Sequence, residues 1–131
     1  MMKQFWLSLP VKNLNKSKEF FTKVGFKFSD GQGNSPTSAP MLLGEKGVVV
    51  MLFDEPTFKG FIGNGPISNN ATEVLLSIDA QSKEEVDEMV RKAVEAGGVS
   101  THRPSEMKGP MYGCVFTDLD GHRWNVLYMK G

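Results

Sequence analysis

Apolar residues recur along this chain in two rhythms, a period of two and a period near 3.6, and the pair occurs twice. Phe5 to Val11 alternates loosely and predicts a strand with Pro10 near its end. Leu14 to Val24 predicts a helix. Asn13 or Asn15 can cap it, Phe20, Phe21 and Val24 form its apolar stripe, and Gly25 can end it in the left-handed conformation. Phe26 to Ser29 predicts a short strand, and the Gly- and Pro-containing run from Asp30 to Pro36 a loop. Pro40 to Gly44 and Val48 to Phe53 then predict a hairpin across Glu45-Lys46-Gly47.

The second passage repeats that order. Thr72 to Asp79 predicts a strand, and Ser82-Lys83-Glu84-Glu85 a capping box that opens a helix. Val86, Met89, Val90, Ala93 and Val94 share one face of that helix, and Gly97-Gly98 ends it. Val99 to Arg103, Tyr112 to Thr117 and Arg123 to Met129 predict three strands. Between the passages, Pro56, Gly60, Gly63 and Gly65-Pro66 mark a connector longer than most loops, a kind that often carries function.

The repeat of strand, helix and three strands predicts an α+β domain made by internal duplication. Module one spans about residues 3–54, the connector about 55–71 and module two about 72–130. Val11 corresponds to Ile78, Phe26 to Val99 and Gly47 to Gly121. The competing reading is an α+β domain whose halves are alike by chance.

Strand parity sorts the side chains. Leu7, Leu9 and Val11, then Val48, Val50 and Leu52, then Val74, Leu76 and Ile78, are expected beneath the helices. Trp124, Val126 and Tyr128 share one face of the last strand. The faces away from the helices gather Trp6, Ser8, Met51, Phe53, Glu73, Ser77, Arg123, Asn125 and Leu127. A largely apolar wall with a few polar groups suits a small-molecule pocket, and it equally suits packing against a partner subunit.

Composition narrows the classes. The 131 residues fit one domain, with 40% hydrophobic and 23% charged residues. Fifteen basic and 15 acidic residues cancel, which leaves no electrostatic footprint for nucleic acid or an anionic membrane. The expected partner is a small molecule or a second copy of the chain. Cys114 is the one cysteine, so no intrachain disulfide can form. The N-terminal residues do not read as a signal peptide, because Pro10, Lys12 and Asn13 interrupt any apolar run. No stretch approaches the roughly 20 apolar residues that span a bilayer. The expected compartment is the cytoplasm.

Leu9-Pro10-Val11-Lys12-Asn13-Leu14, followed by Phe20-Phe21 and Gly25-Phe26, forms one motif. Met111-Tyr112-Gly113 and Asp118-Leu119-Asp120-Gly121-His122-Arg123-Trp124 form another. Together they resemble the opening and closing elements of the vicinal oxygen chelate superfamily, which holds glyoxalases, bleomycin-resistance proteins and extradiol dioxygenases. The resemblance implies two βαβββ modules side by side in a cupped mixed sheet, helices on the convex face, and a homodimer. It also implies a metal site drawn from four strands, whose positions fall on Trp6, Met51, Glu73 and Asn125. Trp6 and Met51 offer a hard or borderline cation nothing, Asn125 offers a neutral oxygen, and Glu73 alone is a competent ligand. No cofactor is therefore expected, since a catalytic metal typically needs about three protein ligands.

His102 and His122 sit near strand ends, where imidazole is more often a surface or turn residue. Cys114 reads as buried and inert. The resulting expectation is metal-free binding of a small organic molecule, with Trp6, Ser8, Met51, Phe53, Glu73, Arg123 and Asn125 lining the site. Phe58 and Phe61 could close over it from the connector. The alternative is a lyase, isomerase or transferase of glyoxalase type with Glu73 as general base; the plain structural reading of Glu73 is an ion pair with Arg123. A third reading makes the cup a dimer surface.

Overall fold

The computed structural model describes residues 2–67, 73–106 and 110–129. It divides into two compact units, Met1–Asn69 and Asn70–Gly131. Unit 1 runs β1 (Trp6–Val11), α1 (Leu14–Val24), β2 (Lys27–Phe28), β3 (Ser38–Leu43), β4 (Val48–Asp54) and α2 (Glu55–Phe61). Unit 2 runs β5 (Leu75–Asp79), α3 (Lys83–Glu95), β6 (Ser105–Glu106), β7 (Met111–Thr117) and β8 (Arg123–Met129). The sheets are ordered β1-β4-β3-β2 and β5-β8-β7-β6, with the first strand of each parallel to its neighbour. The architecture is α+β, a pair of βαβββ units.

In unit 1, α1 has the expected bounds because both ends are specified locally. Asn13 accepts from the backbone N–H of Lys16 at 3.0 Å, and Gly25 turns left-handed at φ 118°. The helix lays Phe20, Phe21 and Val24 on β3 and β4. Two rows of apolar side chains meet it across three strands, Leu7–Val50–Met41 and Leu9–Leu52–Ala39. Leu9, Val50, Leu52, Met41 and Ala39 are buried. Val48, expected in this core, is half exposed at the start of β4.

Unit 2 repeats the scheme with α3 on β7 and β8. Its rows are Leu76–Trp124–Phe116 and Ile78–Val126–Cys114. Ser82 Oγ accepts from the Glu85 N–H at 3.1 Å to start α3, and Val86, Val90 and Ala93 are its buried residues. Met89 is half-buried, whereas Val94 and Val74 are exposed.

Three elements depart from the sequence reading. The connector opens with α2: Asp54 accepts from the Thr57 N–H at 3.0 Å, and Pro56 falls in the first turn, where its missing N–H costs nothing. Val99 to Arg103 is not a strand. Only Val99 bridges Thr117, after which Ser100 Oγ donates to the carbonyls of His102 and Val115 and bends the chain. The second strand of the unit is β6, which begins two residues further on. Finally, β5 begins at Leu75, and Thr72 lies outside the described residues.

Candidate functional site

The face of each sheet away from its helix is where the expected site residues other than Glu73 fall. In unit 1 the rungs of that face are Trp6–Val49–Leu42, Ser8–Met51–Pro40 and Pro10–Phe53–Ser38. Trp6, Ser8, Met51 and Phe53 therefore share it. A groove of about 680 Å³ runs past Phe5, Trp6, Met51 and Phe53, with Lys3 and Lys46 on its wall. Loop residue Gly33 lies against Met51: a side-chain carbon there would stand 3.5 Å from Met51 Cε. Phe61 of α2 meets Phe53 edge-on, ring centres 5.0 Å apart. Phe61 thus reaches this face from the connector and stays largely exposed.

In unit 2 the corresponding rungs are Leu75–Arg123–Thr117, Ser77–Asn125–Val115 and Asp79–Leu127–Gly113. Asn125 Nδ2 donates to Ser77 Oγ at 3.3 Å, and Asn125 Oδ1 is buried with no hydrogen-bond partner. A cavity of about 570 Å³ opens on this face. Leu75, Val115, Thr117 and Arg123 form its floor, and His102 and Arg103 come from the 99–105 strap at its side. The strap is pinned to β7 by Ser100 Oγ, 3.0 Å from the Val115 carbonyl, and by Cys114 Sγ, which donates to the His102 carbonyl at 3.2 Å. Cys114 itself is buried.

The register separates two residues that alignment treats as equivalents. Trp6 stands two positions before Ser8, which pairs with Met51. Glu73 stands four positions before Ser77, which pairs with Asn125. Four extended residues span about 13 Å. Glu73 is exposed, precedes β5, and forms no ion pair with Arg123 among the described residues. The residue directly beside Asn125 is Ser77, and the one beside Met51 is Ser8. A serine–asparagine pair and a serine–methionine pair do not fit a divalent cation, which wants carboxylate, imidazole or thiolate donors. Among the described residues no three His, Cys, Asp or Glu side chains gather to hold a metal ion.

Sequence reasoning missed the strap, whose His102 and Arg103 wall the cavity, and it missed Asp118. That carboxylate, in the turn before β8, accepts from the N–H groups of Asp120 at 2.9 Å and His122 at 3.0 Å. It also accepts from the indole of Trp124. Burial pushes its pKa up, against the His122 charge and these three donors. His122 is half-buried at the same turn. An Asp followed six residues later by Trp in a hairpin was the available signal. Among the described residues, no helix is long and apolar enough to cross a membrane.

The comparisons with known proteins agree with this architecture. The family model described as Glyoxalase/Bleomycin resistance protein/Dioxygenase superfamily matches residues 3–126. A hypothetical protein from S. aureus is 32% identical at a TM-score of 0.87, over 98% of this chain and 94% of that one. A glyoxalase/bleomycin resistance protein/dioxygenase family enzyme from Burkholderia phytofirmans PsJN is 18% identical, with TM-score 0.81, over 95% and 96% of the two chains. The fosfomycin resistance protein FosX from Listeria monocytogenes, solved with Mn(II) and sulfate, is 18% identical, with TM-score 0.72, over 98% and 91%. At such low identity the last two likenesses speak for the fold alone. No curated protein matches the chain.

Proposed function

The chain belongs to the glyoxalase/bleomycin resistance protein/dioxygenase superfamily, and from that premise we propose that it binds a small organic molecule without a metal ion. The observation that carries this reading is the cavity on the non-helix face of unit 2, of about 570 Å³, where Leu75, Val99 and Val115 give apolar surface beside the polar groups of Thr101, His102, Arg103 and Arg123. Trp6, Met51 and Phe53 offer stacking and soft packing on the matching face of unit 1. Ser8 and Glu73 belong to the proposed ligand-binding set with Arg123 and Asn125, which orient the ligand. The protein works in the cytoplasm as a homodimer in this reading, an assembly that light scattering checks.

FosX is complexed with Mn(II). In this chain Ser77 and Ser8 stand beside the two strand positions that would have to hold such an ion. An enzymatic alternative, a metal-independent lyase, isomerase or transferase with Glu73 as general base, is the weaker reading. Glu73 is exposed, precedes β5 and is not among the residues that line the unit 2 cavity. The test is metal content by mass spectrometry after dialysis against Ni, Zn, Mn and Fe(II), paired with native mass spectrometry for retained small molecules. The expected result is no stoichiometric metal. Stoichiometric metal that Glu73→Ala removes would overturn the metal-free reading.

A further inference from the structure

The chain is formally neutral, with 15 basic and 15 acidic residues, yet its charges are unevenly placed. Among the described residues, no Asp or Glu lines either non-helix-face cavity. The groove of unit 1 carries Lys3 and Lys46, and the cavity of unit 2 carries Arg103, Arg123 and His102. A third cavity shows that this is not general: beside α3, Asp87 and Glu95 line the wall together with Arg91 and Arg103.

We propose that the unit 2 cavity selects small organic oxyanions, an apolar body on Leu75, Val99 and Val115 with its anionic end at Arg103 and Arg123. The proposal rests on reading that face as a ligand site and names the chemistry of its ligand. Guanidinium presents a planar fork that matches a carboxylate or phosphate and is hydrated more weakly than an ammonium, which favours unit 2 over the lysines of unit 1. Arg103 forms no direct ion pair among the described residues, although it also borders the α3 cavity that holds Asp87 and Glu95. Thr101, Ser105 and Thr117 add hydroxyl groups to the same lining. A concave wall carrying one sign of charge concentrates the opposite sign.

The experiment uses the full chain and four series of probes on common aryl skeletons: carboxylates, phosphates, primary amides and amines. Binding is read from the backbone amide shifts of Gly113, Val115 and Thr117. Carboxylates or phosphates should bind, and whichever series binds more tightly identifies the oxyanion. Amides should bind about tenfold more weakly or worse, the worth of one charge-assisted hydrogen bond, and amines should not bind. Arg103→Gln should weaken the anions by a similar factor and leave the amides unmoved, while Arg103→Lys recovers part of the loss. Amides or amines that match the anions, or anions indifferent to Arg103→Gln, would overturn the oxyanion assignment and leave small-molecule binding standing. No response at these amides from any series would remove both.

Discussion

The indole nitrogen of Trp124 donates to the carboxylate of Asp118 at 3.1 Å, so one side chain ties the β7–β8 turn to the core of unit 2. Trp124 has no exposed surface, and Asp118 is 5% exposed. The same carboxylate collects two backbone N–H groups of its own turn. Removing it orphans three donors, each worth about 1–3 kcal/mol where water cannot reach. Asp118→Ala should therefore cost about 3 kcal/mol, and Asp118→Asn, which keeps an acceptor, less; urea unfolding with an unchanged m-value measures both. Because burial raises its pKa, Asp118 holds its proton more tightly in the folded chain than in the unfolded one. Such a group adds stability below its ordinary value, 3.8, and loses it as pH rises through the folded value. The stability of wild type relative to Asp118→Asn should accordingly decline as pH is raised from about 4.

Tyr112 makes a second readable pair. Its hydroxyl donates to Asp87 of α3 at 2.6 Å, and this bond, with burial and the Asp87 charge, pushes its pKa from 10.0 to about 12. Lys83 lies over the ring, 5.4 Å from its centre. Ultraviolet titration of the phenol should show one tyrosine ionising near 12, and Asp87→Asn should bring it back towards 10. A raised tyrosine pKa means that its share of stability is lost as pH climbs through that same window.

Two glycines with positive φ separate backbone strain from crowding. Gly25, at φ 118°, has open space where a side chain would go. Gly97, at φ 110°, has Leu119 Cδ2 at 3.2 Å from that position. Alanine at either should cost about 1–2 kcal/mol for the left-handed backbone. Gly97→Ala should be the larger loss, because Leu119 must also move. Thermal unfolding of the two variants in parallel gives the order.

Ser100 is the pin of the strap. Ser100→Ala removes its bonds to the carbonyls of Val115 at 3.0 Å and His102 at 2.9 Å. The expected cost is about 1 kcal/mol. Hydrogen exchange should quicken at the Val99 and Thr117 amides, whose mutual bonds of 3.1 and 2.7 Å anchor the strap to β7.

Elements bounded by local signals were readable in advance. Asn13 and Gly25 delimit α1, and the alternation of Arg123, Trp124, Asn125 and Val126 after the Gly121 turn gives β8 its start and its faces. The strap was not readable, because what bends it is Ser100 meeting a carbonyl 15 residues away. Helix α2 had its cap and its proline in view at Asp54 and Pro56, but the glycines after it read more loudly as loop. Strand pairing is long-range in the same way. Parity puts Trp6, Ser8, Met51 and Phe53 on one face, while only the register shows that Ser8, not Trp6, stands beside Met51.

Cys114 has one consequence for handling the protein. It is the chain's lone thiol, 3% exposed and sealed beneath the His102 carbonyl. A bulky disulfide reagent can reach it only when strap and strand part. The labelling rate of the unmodified protein is therefore a clock for that opening, supplied by the sequence with no reporter to engineer.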